Sequence, residues 1–276
     1  MTIIENKTFD EERALYGSDG VRAVGCRFDG PADGESAFKE SKNIETENCY
    51  FNLRYPFWHT HKLKITDCEM TELCRAALWY SDDITIKNTK LHGIKALREC
   101  NGIKIEGSSI ISPEFGWFSK NIVMDKAEAE GEYFMLRAEN LTFTDVTLHG
   151  KYSFQYIKNC TFENCNFDTK DAFWHAENVV VKNSVIKGEY LAWYAKNITF
   201  IDCEISGTQP LCYCESLKMI NCTLREADLS FEKSTVEAEI TTPVISIKNP
   251  KSGYIRVPSY GELILTEEST CEIITE

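Results

Sequence analysis

Arg137, Tyr156, His175 and Tyr194 follow one another at intervals of 19 residues, and such a set has a definite chemistry. A tyrosine or histidine can remove the proton from the carbon beside a carboxylate, while an arginine neutralises that carboxylate, which is what β-elimination from a uronate requires. Arg137, Tyr156 and His175 are therefore the candidate catalytic residues. One position earlier in the same units stand Gln155, Trp174 and Trp193, and further back Trp58, Trp79, Arg98 and Trp117. Indole rings offer flat faces to the C–H faces of sugars, and Arg, Glu, Gln and Tyr bond hydroxyls. The candidate substrate-binding set is Trp58, Trp117, Trp174, Trp193, Arg98, Glu99, Gln155 and Tyr194. A glycoside hydrolase needs two carboxyls about 5–10 Å apart. Glu99 and Asp171 lie about four units, or about 20 Å, apart, so elimination is favoured over hydrolysis.

Metal chemistry has weaker support. His59-x-His61 supplies two ligands, and Cys212-x-Cys214 lacks the two further ligands a zinc site needs. No metal or cofactor is expected, calcium being the ion a lyase would add.

The elements that position these residues come from a repeat. Asn159-Cys-Thr-Phe-Glu-Asn-Cys-Asn-Phe167 returns in outline as Asn197-Ile-Thr-Phe-Ile-Asp-Cys-Glu-Ile205 and Asn140-Leu-Thr-Phe-Thr-Asp-Val-Thr-Leu148. Units start at Val21, Ile44, Leu63, Ile84, Ile103, Ile122, Leu141, Cys160, Val179, Ile198 and Leu217, about 19 residues apart. Offsets 0 and 2 are apolar, as are 5 and 7, giving two short strands of period two. Offset 5 is small (Cys49, Cys68, Cys165, Ser184, Cys203, Cys222), so those cysteines read as core thiols. Asn or Asp at offset 4 and Gly at offset 9 mark corners. Offsets 12 to 16, as in Ala172-Phe-Trp-His-Ala176, read as a third strand. Alternation then sends the tryptophan column (offset 14) and the tyrosine/histidine column (offset 15) to opposite faces, and the sequence leaves open which one faces solvent.

Three strands and three corners per turn describe an all-β chain, a single-stranded right-handed parallel β-helix of about eleven coils. The expected organisation is one domain over 1–276, with an N-terminal cap (1–20), regular coils (21–235), and an irregular C-terminal coil and cap (236–276). The insert Pro31-Ala-Asp-Gly-Glu-Ser36 is expected to protrude as a loop.

The Asn-Ile-x-Phe-x-Asn/Asp-Cys-x-Ile units, with Phe57-Trp-His-Thr60, Ala77-Leu-Trp-Tyr80, Ala172-Phe-Trp-His175 and Ala192-Trp-Tyr194, resemble an uncharacterised bacterial family with a pectin-lyase-like right-handed β-helix. The resemblance covers nearly the whole chain and implies the fold alone. The wider superfamily includes pectate lyases and polygalacturonases. The Gly-His-Gly and Arg-Ile-Lys signatures of the latter are absent here, and Asp82-Asp83 falls in a turn column, so no catalytic residue carries over.

Charge narrows the partners. With 30 Lys+Arg against 43 Asp+Glu, the net charge is −13, which argues against a nucleic-acid binder. No apolar run approaches the roughly 18 residues of a membrane span, and the first residues show no signal-peptide pattern. The expectation is a cytoplasmic protein that binds or processes an oligosaccharide on its third segment. The alternatives are a polysaccharide lyase and a non-catalytic scaffold whose aromatic strip meets another protein or a second copy.

Overall fold

A computed structural model describes residues 1–30 and 35–275. The chain forms two compact units, Met1–Asn140 and Leu141–Glu276. Both are built of coils that stack their strands in parallel, and the fold is a parallel β-solenoid.

In the first unit the strands Asp19–Val24, Lys42–Glu47, His61–Thr66, Asp82–Lys87, Asn101–Glu106 and Lys120–Asp125 pair in the register that the repeat predicts. Val21, Ile44, Leu63, Ile84, Ile103 and Ile122 stand one above another. A second ladder aligns Phe9, Phe28, Phe51, Met70, Leu91, Ile110 and Ala129. Alternate residues of these strands are buried, as a half-buried strand requires. In the second unit Cys160, Val179 and Ile198 share one register, and Leu148, Phe167, Ile186, Ile205 and Leu224 share the other.

The coils number about 14 rather than eleven, and parallel pairing extends on both sides of the expected regular region 21–235. Thr2–Glu5 pairs with Asp19–Val24, and Phe9 stacks on Phe28 at 5.0 Å. Beyond residue 235, Thr235–Ile240, Ser252–Val257 and Glu272–Thr275 continue the parallel ladder. Of the expected 31–36 loop, residues 31–34 lie outside the described residues; Glu35 makes a β-bridge to Arg54.

The third segment is not a strand. Residues 171–175 are turns, with φ of 55° at Asp171, 60° at Phe173 and 54° at His175. Left-handed residues at every second position cancel the alternation of an extended chain. Ala172 and Phe173 consequently both point inward (0% exposed), while Trp174 is half-buried and His175 exposed. Trp174 and His175, at offsets 14 and 15, therefore both reach the surface, and the choice between two faces does not arise in this coil; Cys212 and Phe231 of the offset-14 column are buried. Hydrogen bonds from Tyr156 N to Trp174 O (2.8 Å) and from His175 N to Trp193 O (2.9 Å) hold successive turns together.

The offset-5 cysteines are core residues. Cys26, Cys49, Cys68, Cys165, Cys203 and Cys222 are all buried as free thiols. Cys68 donates to Thr66 O (3.1 Å), and burial pushes the Cys165 thiol up to about 11. The glycine column answers to space as well as dihedral angle. A Cβ on Gly207, where φ is 134°, would strike the Gly188 carbonyl in the coil beside it.

Candidate functional site

Four of the five tryptophans of the offset-14 column, and Gln155, share one contact. The indole N–H of Trp79 donates to Lys95 O (2.6 Å), that of Trp117 to Tyr133 O, that of Trp174 to Tyr190 O and that of Trp193 to Gln209 O (each 2.7 Å). Gln155 Nε2 donates in the same way to Asp171 O (3.1 Å). Each acceptor is the corner residue of the following coil, held at positive φ. A corner carbonyl turned away from the strand ladders needs a partner, and the column supplies it. These N–H groups are committed to the fold.

The ring faces are committed as well. Trp174 and Trp193 stack at 5.5 Å and 6°. In the outer column His175 lies between Tyr156 (4.7 Å, 10°) and Tyr194 (5.0 Å, 8°), and Tyr194 continues onto Tyr213 (4.8 Å, 11°). The sequence suggested flat faces open to sugar. In this stack the rings cover one another's faces, and each coil offers a ring edge instead. Tyr156 and Tyr194 remain 40% and 42% exposed.

Electrostatics differ along the stack. Burial, and then the nearby Lys196 ammonium, hold His175 below the ordinary imidazole value. Burial raises Tyr213, aided by the charge of Glu232 and by the 3.2 Å hydrogen bond that the Tyr213 hydroxyl donates to Glu232 Oε2.

The first unit is arranged otherwise. Trp58 and Trp79 tilt against each other at 5.2 Å, and Tyr80 meets His59 edge-on. The Arg98 guanidinium sits over Trp79 (5.0 Å), Trp117 (5.6 Å) and Phe118 (5.6 Å), with Nε donating to Glu99 Oε1 at 3.3 Å. A surface depression of about 470 Å³ opens there, lined by Arg98, Glu99, Cys100, Asn101, Phe118 and Lys120. His59 and His61 do not converge: His59 Nδ1 faces Glu40 (3.4 Å), and His61 Nδ1 faces Asp82 (3.2 Å). The thiols of Cys212 and Cys214 donate to backbone carbonyls.

Tyr156, His175 and Tyr194 are thus brought together, Trp174 and Trp193 lie beside them, and Gln155 shares their anchoring role. Arg98 and Glu99 meet beside Trp117 in the first unit. Arg137 belongs to that unit, where it is exposed. Tyr213 and Phe118 complete the two clusters and share the offset-15 column, so the period alone points to them. Lys120 does not share it, because only the turn geometry places the next strand's first residue against the depression.

The sequence matches, over residues 2–275, the family described as "Protein of unknown function (DUF3737)". No curated protein matches the chain. Among solved structures, PfbA, a surface adhesin of Streptococcus pneumoniae, is similar at 9% identity and a TM-score of 0.41, covering 94% of this chain and 84% of that one. The A-module of the mannuronan C-5 epimerase AlgE4 from Azotobacter vinelandii is similar at 8% identity and a TM-score of 0.33, covering 99% and 89%. HetL, a pentapeptide repeat protein of the cyanobacterium Nostoc, is similar at 12% identity and a TM-score of 0.29, covering 80% and 92%. By its match over nearly the whole sequence, the chain belongs to the DUF3737 family.

Proposed function

We propose that the protein binds carbohydrate along the turn face of its second unit, with Tyr156, His175, Tyr194 and Tyr213 as contact residues. The exposed ring stack carries this reading. At the strand starts and strand corners the left-handed positions are mostly Asn, Asp or Gly, as at Asn178, Asn183 and Asp202, the types that adopt that conformation cheaply. Along the turn segment they are bulky, Phe154, Phe173 and Leu211 on the inner side and Tyr and His in the outer column, at a cost of about 1–2 kcal/mol each. Stacking returns about 0.5–1.5 kcal/mol per pair, so backbone demand does not select these residues. Nor does the core, which Phe154 and Phe173 fill beneath them, stacked at 5.0 Å. What the rings add is a row of hydroxyl and imidazole edges, one per coil at about 4.8 Å, along which an extended oligosaccharide can lie.

A glycan array followed by thermal-shift titration tests this, comparing wild type with Tyr156→Phe/Tyr194→Phe, which keeps the stack and removes two hydroxyls. The expected result is a glycan that raises the wild-type melting temperature and loses at least about tenfold in affinity on the double variant, the scale of one or two hydrogen bonds. Equal binding to both proteins, or no glycan bound at millimolar concentration, would refute the proposal.

A second reading, elimination from a uronate, draws on the stacking of His175, held below the ordinary imidazole value, against the Tyr156 ring. It requires an unsaturated product that disappears with Tyr156→Phe or His175→Gln.

A further inference from the structure

We infer that Arg98 is an oxyanion-binding fork that takes the carboxylate of an acidic sugar; the inference rests on the carbohydrate reading and adds to it a site in the first unit with its own substrate class. Three rings hold the guanidinium in place, those of Trp79, Trp117 and Phe118. Trp79 and Trp117 are themselves pinned by their indole N–H bonds to Lys95 O and Tyr133 O. Most arginines lose side-chain entropy on binding, whereas this one is already ordered.

Its donors are unevenly used. Nε donates to Glu99 at 3.3 Å. Among the described residues the two terminal nitrogens make no hydrogen bond, although the side chain is only 26% exposed. A planar pair of N–H donors at the wall of a depression fits the two oxygens of a carboxylate. Lys120, on the same wall, brings a second positive charge; it is shared with Glu139 at 3.0 Å. Phe118, 40% exposed, offers an apolar surface next to the fork for a sugar ring. Glu99 opposes the anion, because its carboxylate already neutralises part of the guanidinium charge. That opposition makes the site testable from both sides.

The probes are matched oligosaccharides of equal length with and without carboxylates (oligogalacturonate against galacto-oligosaccharide, and oligoglucuronate against its neutral counterpart), together with inorganic phosphate and acetate. Binding is read by calorimetry on wild type, Arg98→Lys and Glu99→Gln. Arg98→Lys keeps the charge and loses the fork, while Glu99→Gln leaves Arg98 in place should the lysine variant fold poorly. The expected pattern is at least a tenfold preference for an acidic oligosaccharide, lost in Arg98→Lys and increased severalfold in Glu99→Gln. Equal affinity for acidic and neutral sugars, unchanged in both variants, would overturn the inference and leave the carbohydrate reading intact. Protection by phosphate or acetate that Arg98→Lys abolishes, with no oligosaccharide bound at all, would overturn the carbohydrate reading and keep the fork. No binding of any probe would overturn both.

Discussion

Trp174→Phe separates an architectural tryptophan from a ligand-binding one. The indole of Trp174 does two things: it donates to Tyr190 O at 2.7 Å, and it stacks on Trp193 at 5.5 Å. Phenylalanine keeps a ring in the same place but has no donor. The lost bond costs about 0.5–1.5 kcal/mol net, toward the lower part of that range because Tyr190 is half-buried and water can reach its carbonyl. The smaller ring also gives up part of a stacking term of about 0.5–1.5 kcal/mol. Together these predict a loss of about 1–2 kcal/mol, or about 2–8 °C in melting temperature at about 2–4 °C per kcal/mol for chains of this size. Urea and thermal denaturation would measure it. Trp193→Phe, whose N–H bonds Gln209 O at the same 2.7 Å, should cost as much. The double variant should lose less than the sum, since the pair shares a stack. Wild-type stability in Trp174→Phe, accompanied by loss of glycan affinity, would refute the reasoning. The indole N–H would then be serving a ligand and not the corner carbonyl.

Other consequences follow from single residues. Gly207→Ala should destabilise by several kcal/mol or prevent folding, because its Cβ meets the Gly188 carbonyl at a φ that disfavours side chains; calorimetry of the variant measures this, and a neutral result would mean the coil corner yields. His175 is held below the ordinary imidazole value of about 6.5 in the folded chain, so the unfolded chain binds the extra proton and stability rises with pH. Its contribution is present above about pH 6.5 and lost as pH falls toward the lowered folded value. Melting curves of His175→Gln should accordingly show a shallower acid-side decline than wild type, and a steeper one would reverse the sign of the argument. Eleven of the twelve cysteines are buried and Cys271 is half-buried. Alkylation of the native protein followed by peptide mass spectrometry should therefore label Cys271 alone, and slowly, since its thiol is pushed up to about 11; rapid labelling of Cys49 or Cys203 would contradict the core assignment.

The two strand ladders are legible because each demands a residue type at a fixed offset: Ile, Leu or Val at Ile84, Ile103 and Ile122, and a small residue at Cys165 and Cys203. Any other choice leaves a void or a clash in a coil whose neighbours are identical in shape. The terminal coils are hidden because that demand relaxes where only one side is packed. Thr2 occupies a column otherwise filled by Val21 and Ile44, and Gly253 stands in register with Val236 after 17 residues and not 19. The third segment misleads for a deeper reason. A strand is betrayed by alternation, but left-handed dihedrals at Phe173 and His175 belong to residue types that give no such sign, and they turn an inward pair and an outward pair into what reads as a strand of uncertain facing. The candidate site inherits that limit. Its members are visible as columns, since offset 15 carries Tyr156, His175, Tyr194 and Tyr213. Whether their rings present faces or edges depends on side-chain torsions fixed by the coil above and the coil below. The stack of rings 4.7–5.0 Å apart is a property of neighbouring coils together, and for that reason this face presents hydroxyls and ring edges and not the open indole surfaces that the composition suggests.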